Sequence, residues 1–558
     1  MKRILLLLSV ALMATASFAQ NYPVIGTPEA DRLIPQKSHL LLPEGTRAIK
    51  NATPKYLRHD SKPKILTILA TFNDKDTFSV KNPRAAFNEF FNKKSTAKFT
   101  DFGNGNTKNY GSVAQYFSDM SGGNFEPEFV IYGPVKLPGK ETVYGGTSKD
   151  GGDENPYKLV QDAVDLLTDS IKDASQFDSD NDGYIDCIYV IYAGVGQNYQ
   201  DPKDPGSNVW ACTSFTTART IGGKKTGWFS IAAEIAPLFT DNTKKTPIIT
   251  GIGTTCHELT HAMGIADVYP TYSSAHIDNQ EMEYWDLMDG GEYTNNGYNP
   301  TAYTAWEKMI MGWPVNIQTL NKDQKVTMSK STEEGGVVYK IENPDGNIYK
   351  DKKLYKEYFL LENIKRAKWN SKAIARNGGL MVYHVNMPDT VSLSDKMNNT
   401  AGIPNMAIVP ADSAILSSYN DTYKNEEVYA DGYSSKISRY LASMVYDLYP
   451  SYDRTTELSD EMGIPNFYWY TSKNKPSKTN SKFYQVNKAL KNIKLVNGTI
   501  TFDYIHDVSK LVTGINEVDV NKTENDMIYT LNGVAVGTDL SKLPKGIYIR
   551  NHKKFIVK

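Results

Sequence analysis

His257-Glu258-Leu259-Thr260-His261-Ala262-Met263-Gly264-Ile265-Ala266-Asp267 is the stretch from which the rest of the chain is read. Two histidines four residues apart stand one turn apart on the same face of a helix, so both imidazoles can reach one ion. Glu258 is then held beside that ion, placed to act as a general base. Gly264 is where such a helix should stop, because glycine adopts the left-handed conformation that turns the chain back. That turn would bring Asp267 round as third ligand. Three protein ligands and one open position for water are the pattern of a catalytic zinc site, in which the pKa of water falls toward about 7. The alternative is a surface helix that carries two histidines by accident. The chain has only 8 histidines in 558 residues, which disfavours it.

The spacing His257, His261, Gly264, Asp267 resembles the metzincin clan in the variant with aspartate as third ligand. Trp285-Asp286-Leu287-Met288-Asp289-Gly290-Gly291 is similar to the clan's Met-turn, with Met288 as the methionine under the metal. Glu307-Lys308-Met309, with Gly312 and Trp313, resembles the element that follows it in immune inhibitor A-type secreted metallopeptidases. Upstream, Tyr110 to Phe117 and Ser121-Gly122-Gly123 are similar to that family's N-terminal catalytic subdomain; downstream, Glu357 to Asn363 and Gly378 to His384 resemble its next domain. The resemblance runs from about residue 60 to 505. It implies a secreted zinc-dependent metalloendopeptidase. One departure matters: many metzincins place a transition-state tyrosine two residues after the methionine, and here that position is Gly290. Tyr293 and Tyr284 are the neighbours left to consider, each weighed against an ordinary packing role.

Asp178-Ser179-Asp180-Asn181-Asp182-Gly183-Tyr184-Ile185-Asp186 marks a second site, with acidic oxygens at positions 1, 3, 5 and 9 of a loop and glycine at 6. This is calcium-loop spacing, with Tyr184 counted among the calcium residues. Clustered carboxylates repel one another unless a cation neutralises them. Tyr189 stands where an EF-hand would have its twelfth-position glutamate, so the loop is not a full EF-hand. A solvated acidic turn is the alternative. A structural calcium ion, bracing the strand that follows, is the expectation, and the resemblance adds to it because such a loop recurs there in the family.

Lys2 and Arg3 precede the apolar run Ile4 to Ala16, and Ser17 and Ala19 precede Gln20, which is the pattern of a signal peptide. That run is too short to span a membrane comfortably, and no other stretch approaches the roughly 20 apolar residues a spanning helix needs. Only Cys187, Cys212 and Cys256 occur, too few for a disulfide scaffold. Cys256 reads as a small buried hydrophobe. Cys187 and Cys212 are left open between a disulfide and two thiols. No cysteine lies between Gln20 and Tyr110, so an N-terminal propeptide cannot silence zinc with a thiolate. Steric cover, a carboxylate or a carbonyl would have to do it, with activation by cleavage near Arg47 or Arg58. The net charge of −1 includes no long basic run, which points away from nucleic acid.

The expected architecture is multidomain. A signal peptide (1–19) and a propeptide-like segment (20–60) precede an α/β metzincin-like catalytic domain (61–315). A β-sandwich-like domain (316–507), irregular over 386 to 440, and a small all-β C-terminal module (508–558) follow. Ile65 to Phe72 and Ile188 to Tyr192 read as buried strands, Ala86 to Phe91 and Pro156 to Ile171 as helices. Short runs such as Val326 to Met328, Val337 to Ile341 and Leu380 to Val385, separated by turn residues, read as strands. His384 lies in one of them and reads as a packed histidine. The tail, with Met527 to Gly533, Leu543 to Ile549 and Lys553 to Lys558, resembles the sorting module of type IX secretion, which implies the secretion machinery as a partner. Protein substrates, cleaved by zinc-bound water that Glu258 activates, are the expected function. A non-catalytic metal-binding adhesin is the alternative.

Overall fold

The computed structural model describes residues 39–40, 55–93, 109–146, 153, 155–199, 208–241, 244–271, 282–350, 353–375, 377–388, 397–415, 443–451, 454–510, 527–531, 533–550 and 553–557. The signal peptide, most of the 20–60 segment including Arg47, and much of 386–440 lie outside them. The chain divides into two compact units, Met1–His506 and Asp507–Lys558.

Ile65 to Phe72 is apolar except at Thr67 and Thr71, and all of its residues are buried, the pattern of a strand covered on both faces. It forms β2 (Lys64–Thr71) within β1 (His39–Leu40), β3 (Glu128–Lys136), β4 (Cys187–Val195), β5 (Cys212–Phe215), the ribbon β6 (Thr220–Ile221) and β7 (Lys224–Lys225), β8 (Trp228–Asp241) and β9 (Lys244–Ile249). The main sheet runs β1-β5-β8-β4-β2-β3, with β9 on β8. Its centre, β8-β4-β2-β3, is parallel, while β5 is antiparallel to β8. Successive residues of β4 enter opposite cores: Ile188, Val190 and Tyr192 one, Cys187, Tyr189 and Ile191 the other. Cys187 and Cys212 thus lie in different cores, on either side of the sheet, and all three cysteines are buried free thiols.

Helices α1 (Pro83–Asn92), α2 (Val113–Ser121), α3 (Glu141–Tyr144), α4 (Pro156–Asp165), α5 (Gly253–Ala262) and α6 (Ala305–Ile310) cover the sheet and its extension. The helix expected to reach Ile171 ends as α4 at Asp165. Beyond it the chain continues in turns, with Ile171 N donating to Leu167 O at 3.0 Å. Leu167 and Ile171 remain buried, so the apolar spacing persists where the regular helix does not.

The β-rich stretch comprises β10 (Asn316–Thr319), β11 (Gln324–Met328), β12 (Val337–Glu342), β13 (Ile348–Lys350), β14 (Lys353–Ile364), β15 (Gly379–Pro388), β16 (Met406–Ile408), β17 (Leu458–Ser459), β18 (Ala489–Val496) and β19 (Thr499–Ile505). One sheet is β10-β12-β14-β15-β16 with β13 on β14; the other is β11-β19-β18-β17. Phe359, Leu361 and Val382 from the first meet Val326, Leu490 and Phe502 from the second in one core, a sandwich-like arrangement. The other face of β14 and β15 presents Leu360, Met381 and Tyr383 to the core that holds Trp285, Met288 and Leu259. The α/β and β-rich parts therefore share a core. His384 is packed, its ring stacked on Phe359 and Tyr470 with Nε2 at 2.9 Å from Glu357 Oε1.

In the C-terminal unit, β20 (Ile528–Thr530), β21 (Ala535–Gly537), β22 (Gly546–Arg550) and β23 (Lys553–Val557) form an antiparallel sheet ordered β21-β20-β22-β23. Among the described residues no helix is long and apolar enough to cross a membrane.

Candidate metal centre

Helix α5 starts where only glycine fits. A Cβ on Gly253 would lie 1.8 Å from Glu292 O, and Gly253 N donates to Gly297 O at 2.9 Å, so the 292–297 backbone presses directly on the helix start. The helix ends at Ala262, and Gly264 follows with φ of 109°, its N–H donating to His261 O at 2.9 Å. That turn returns the chain so that Asp267 Oδ1 lies 3.2 Å from His257 Nε2 and 3.1 Å from His261 Nε2.

The other ring nitrogens are fixed by backbone. His257 Nδ1 is 2.9 Å from Leu287 O, and His261 Nδ1 is 2.7 Å from Ile265 O. A carbonyl only accepts, so each neutral imidazole carries its proton on Nδ1 and turns the lone pair of Nε2 toward Asp267. Two lone pairs and a carboxylate oxygen thus converge, with the three ligand atoms within 4.8 Å of one another. Such an arrangement asks for a cation, and the donor set suits zinc. Burial opposes charging His257, but Glu292, Asp267 and Glu258 outweigh it and raise its pKa to about 10. Burial also works against the Asp267 carboxylate, yet the two histidines hold its pKa below the usual range.

Glu258 is fully buried. Its Oε2 lies 2.7 Å from Thr213 Oγ1 on β5, and Thr213 Oγ1 is also 2.8 Å from Ser230 Oγ. Oε1 makes no hydrogen bond among the described residues. Burial pushes the Glu258 carboxyl up to about 7, opposed by His261, His257 and Thr213. One oxygen is held and the other is available, at a pKa suited to proton exchange near neutrality.

Met288, on the segment after α5, shares a core with Leu259 of that helix. Met288 is buried, its carbonyl accepts from Val268 N at 2.9 Å, and its N–H donates to Asp286 Oδ1 at 2.8 Å. Gly290 leaves no side chain at the position a tyrosine would need, and the Tyr293 hydroxyl accepts from Asn198 Nδ2 at 3.2 Å. Cys256, Glu283 and Asp286 are not among the converging ligands, and Glu281 lies outside the described residues. Thr213 and the buried Glu292, whose Oε1 is 3.8 Å from His257 Nδ1, escaped the sequence reading. No motif marks either, because each reaches the site from a separate segment.

At the acidic loop, Asp178, Asp180 and Asp186 offer converging oxygens. Asp182 turns Oδ1 to its own loop, accepting from Tyr184 N at 2.9 Å, and Gly183 takes φ of 91°. Two ammonium groups neutralise the cluster: Lys224 Nζ is 2.6 Å from Asp178 Oδ2 and Lys55 Nζ is 2.7 Å from Asp180 Oδ2. Burial leads the forces that push Asp186 up to about 6. At the edge of the main sheet β1 runs parallel to β5, with His39 opposite Cys212 and Leu40 opposite Thr213.

Residues 52–313 match the family model described as the immune inhibitor A peptidase M6 catalytic domain. Immune inhibitor A of Bacillus thuringiensis subsp. alesti is 27% identical over 356 residues, covering 55% of this chain and 50% of that protein. The pre-pro-metalloprotease PrtV of Vibrio cholerae is 24% identical over 245 residues, 39% of this chain and 25% of its own length. A putative secreted metallopeptidase of Arthroderma benhamiae is 23% identical over 252 residues, 41% of this chain and 35% of that protein. The chain thus spans half the length of the first relative and less of the others.

Proposed function

We propose, from the match of residues 52–313 to the immune inhibitor A peptidase M6 catalytic-domain model, that the chain is a secreted zinc-dependent metalloendopeptidase that hydrolyses extracellular proteins. The observation that carries this is the convergence of His257 Nε2, His261 Nε2 and Asp267 Oδ1 beside Glu258. When bound, zinc supplies the charge that polarises a scissile carbonyl and lowers the pKa of water. Leu287 O and Ile265 O keep the two imidazoles aimed. Glu258 takes the attacking water's proton and passes it to the leaving amine, while Thr213 steadies its other oxygen. Met288 supports the site as the Met-turn methionine, and the α/β part is read as metzincin-like. A non-catalytic adhesin would need the metal ligands but not a buried base. Digestion of casein or gelatin tests the proposal: a chelator should abolish cleavage and added zinc restore it. Absence of cleavage in the zinc-loaded, processed protein would overturn it.

Thr213→Val offers a finer test. The Thr213 hydrogen bond lowers the Glu258 pKa. The base works only when ionised, so its activity is present above that pKa and lost below it. Removing the donor raises the pKa and moves the acid limb of kcat/KM to higher pH, with a loss of about tenfold on that limb. An unmoved limb would show that Thr213 does not act on the base.

Calcium at Asp178, Asp180, Asp182, Tyr184 and Asp186 is proposed as a structural ion that displaces Lys224 and Lys55. Millimolar calcium should raise Tm by roughly 2–4 °C and do much less for Asp180→Ala with Asp182→Ala. An equal rise in the double variant would leave the two lysines as the loop's counter-ions.

The 20–60 segment is proposed to keep a zymogen latent, and the pairing of β1 with β5, the strand that carries Thr213, supports steric cover of the site. Thiol-modifying reagents should therefore not activate the unprocessed chain. Export through the signal peptide and an address for the secretion machinery in 508–558 complete the proposal.

A further inference from the structure

Asp267 sits on the irregular stretch that follows α5, and a ligand on such a stretch is only as well placed as the backbone that carries it. The adjacent residue, Val268, is tied at both ends. Its N–H donates to Met288 O at 2.9 Å, and its carbonyl accepts from Asn398 Nδ2 at 2.6 Å. Asn398 lies 130 residues away in sequence, between β15 and β16. We propose that Asn398 is the positioning residue for the third metal ligand, so that the β-rich part completes the metal centre. This rests on the reading of Asp267 as a ligand.

Every polar atom of the Asn398 side chain is used. Besides Val268 O, Nδ2 donates to Met406 O at 2.9 Å. Oδ1 accepts from Asn405 N at 2.7 Å and from Met406 N at 3.0 Å. The residue is fully buried and takes φ of 55°, a left-handed conformation that asparagine tolerates better than most residues. Only a primary amide meets this demand, with a donor face toward two carbonyls and an acceptor face toward two N–H groups. Asn405 Nδ2 in turn donates to Asn386 O at 3.0 Å, and Asn386 N to Asn405 O at 2.7 Å, which fastens the bracket to β15. A chain of hydrogen bonds therefore runs from a sheet of the β-rich part to the residue beside Asp267. Partners hydrogen-bonded directly to a metal ligand are worth about 10- to 100-fold in metal affinity, and a bracket on the adjacent residue falls at the low end of that range.

Two substitutions keep the left-handed backbone. Asn398→Gly deletes the amide without strain. Asn398→Asp keeps the size but sets a carboxylate oxygen against Val268 O and Met406 O. Zinc affinity is read on the full-length protein by competition with a chromophoric chelator, at a temperature where circular dichroism shows each variant folded. Both should bind zinc about 10-fold more weakly. Ile500→Ala, in the other sheet of the sandwich, should lower Tm and leave zinc affinity unchanged. Wild-type affinity in the Asn398 variants, or an equal loss in Ile500→Ala, would overturn the proposal. A measurement on the wild type stands beside these: removing zinc should speed hydrogen exchange at the amides of Asn405 and Met406, and unchanged exchange would also count against it. His257→Ala separates the two levels. If that variant binds zinc normally, the metal-centre reading itself fails; if it loses zinc while Asn398→Gly does not, only this inference does.

Discussion

Glu258→Gln should keep its zinc and lose turnover by about 10² to 10⁴. Glutamine preserves size and an oxygen to face Thr213, but it cannot take a proton. The carboxylate is not among the three converging ligand atoms, so its removal leaves the donor set of His257, His261 and Asp267 intact. It is also a costly group for the fold to carry, since burial pushes its carboxyl up to about 7. The variant should therefore fold, and the loss should fall on kcat. Zinc content by atomic absorption and cleavage of a quenched peptide decide the matter. Near-normal turnover at full zinc occupancy would sink Glu258 as the base.

Asp267→Ala should weaken zinc binding by more than about 100-fold, beyond what loss of a supporting partner produces. Glu283→Ala and Asp286→Ala should lose far less, because neither carboxylate joins the converging atoms. Asp286 serves instead as the acceptor for Met288 N at 2.8 Å. Metal retained after dialysis separates these variants. Full zinc in Asp267→Ala, with loss in Glu283→Ala, would move the third ligand elsewhere and take the metzincin-like reading with it.

Much of the local structure was legible because it follows from short-range rules. The histidines at i and i+4 needed only the pitch of a helix, and Gly264 needed only the left-handed turn it takes at φ of 109°. Buried strands such as β2 and β4 announced themselves as near-continuous apolar runs. Periodicity misled at Leu167 and Ile171: both are buried, but by a succession of turns after α4, and apolar spacing reports burial more directly than it reports hydrogen bonding. The acidic loop was legible as a cluster of carboxylates. Its lysines were not, since Lys55 and Lys224 arrive from the N-terminal segment and from β7.

The sequence by itself determined the candidate donor types and their spacing, the carboxylate beside them and the order of α/β and β-rich segments, because a repeat of two or 3.6 residues is written in the chain. Only the tertiary structure decided which distant groups hold those side chains. Thr213 meets Glu258 because β5 pairs with β8 beside α5. Glu292 nears His257 because glycine lets its backbone press on the helix start. Asn398 reaches Val268 because β14 and β15 share a core with the metal site. Hydrogen bonds and charges act through space over a few ångströms, and the separation of their partners along the chain carries no trace of them.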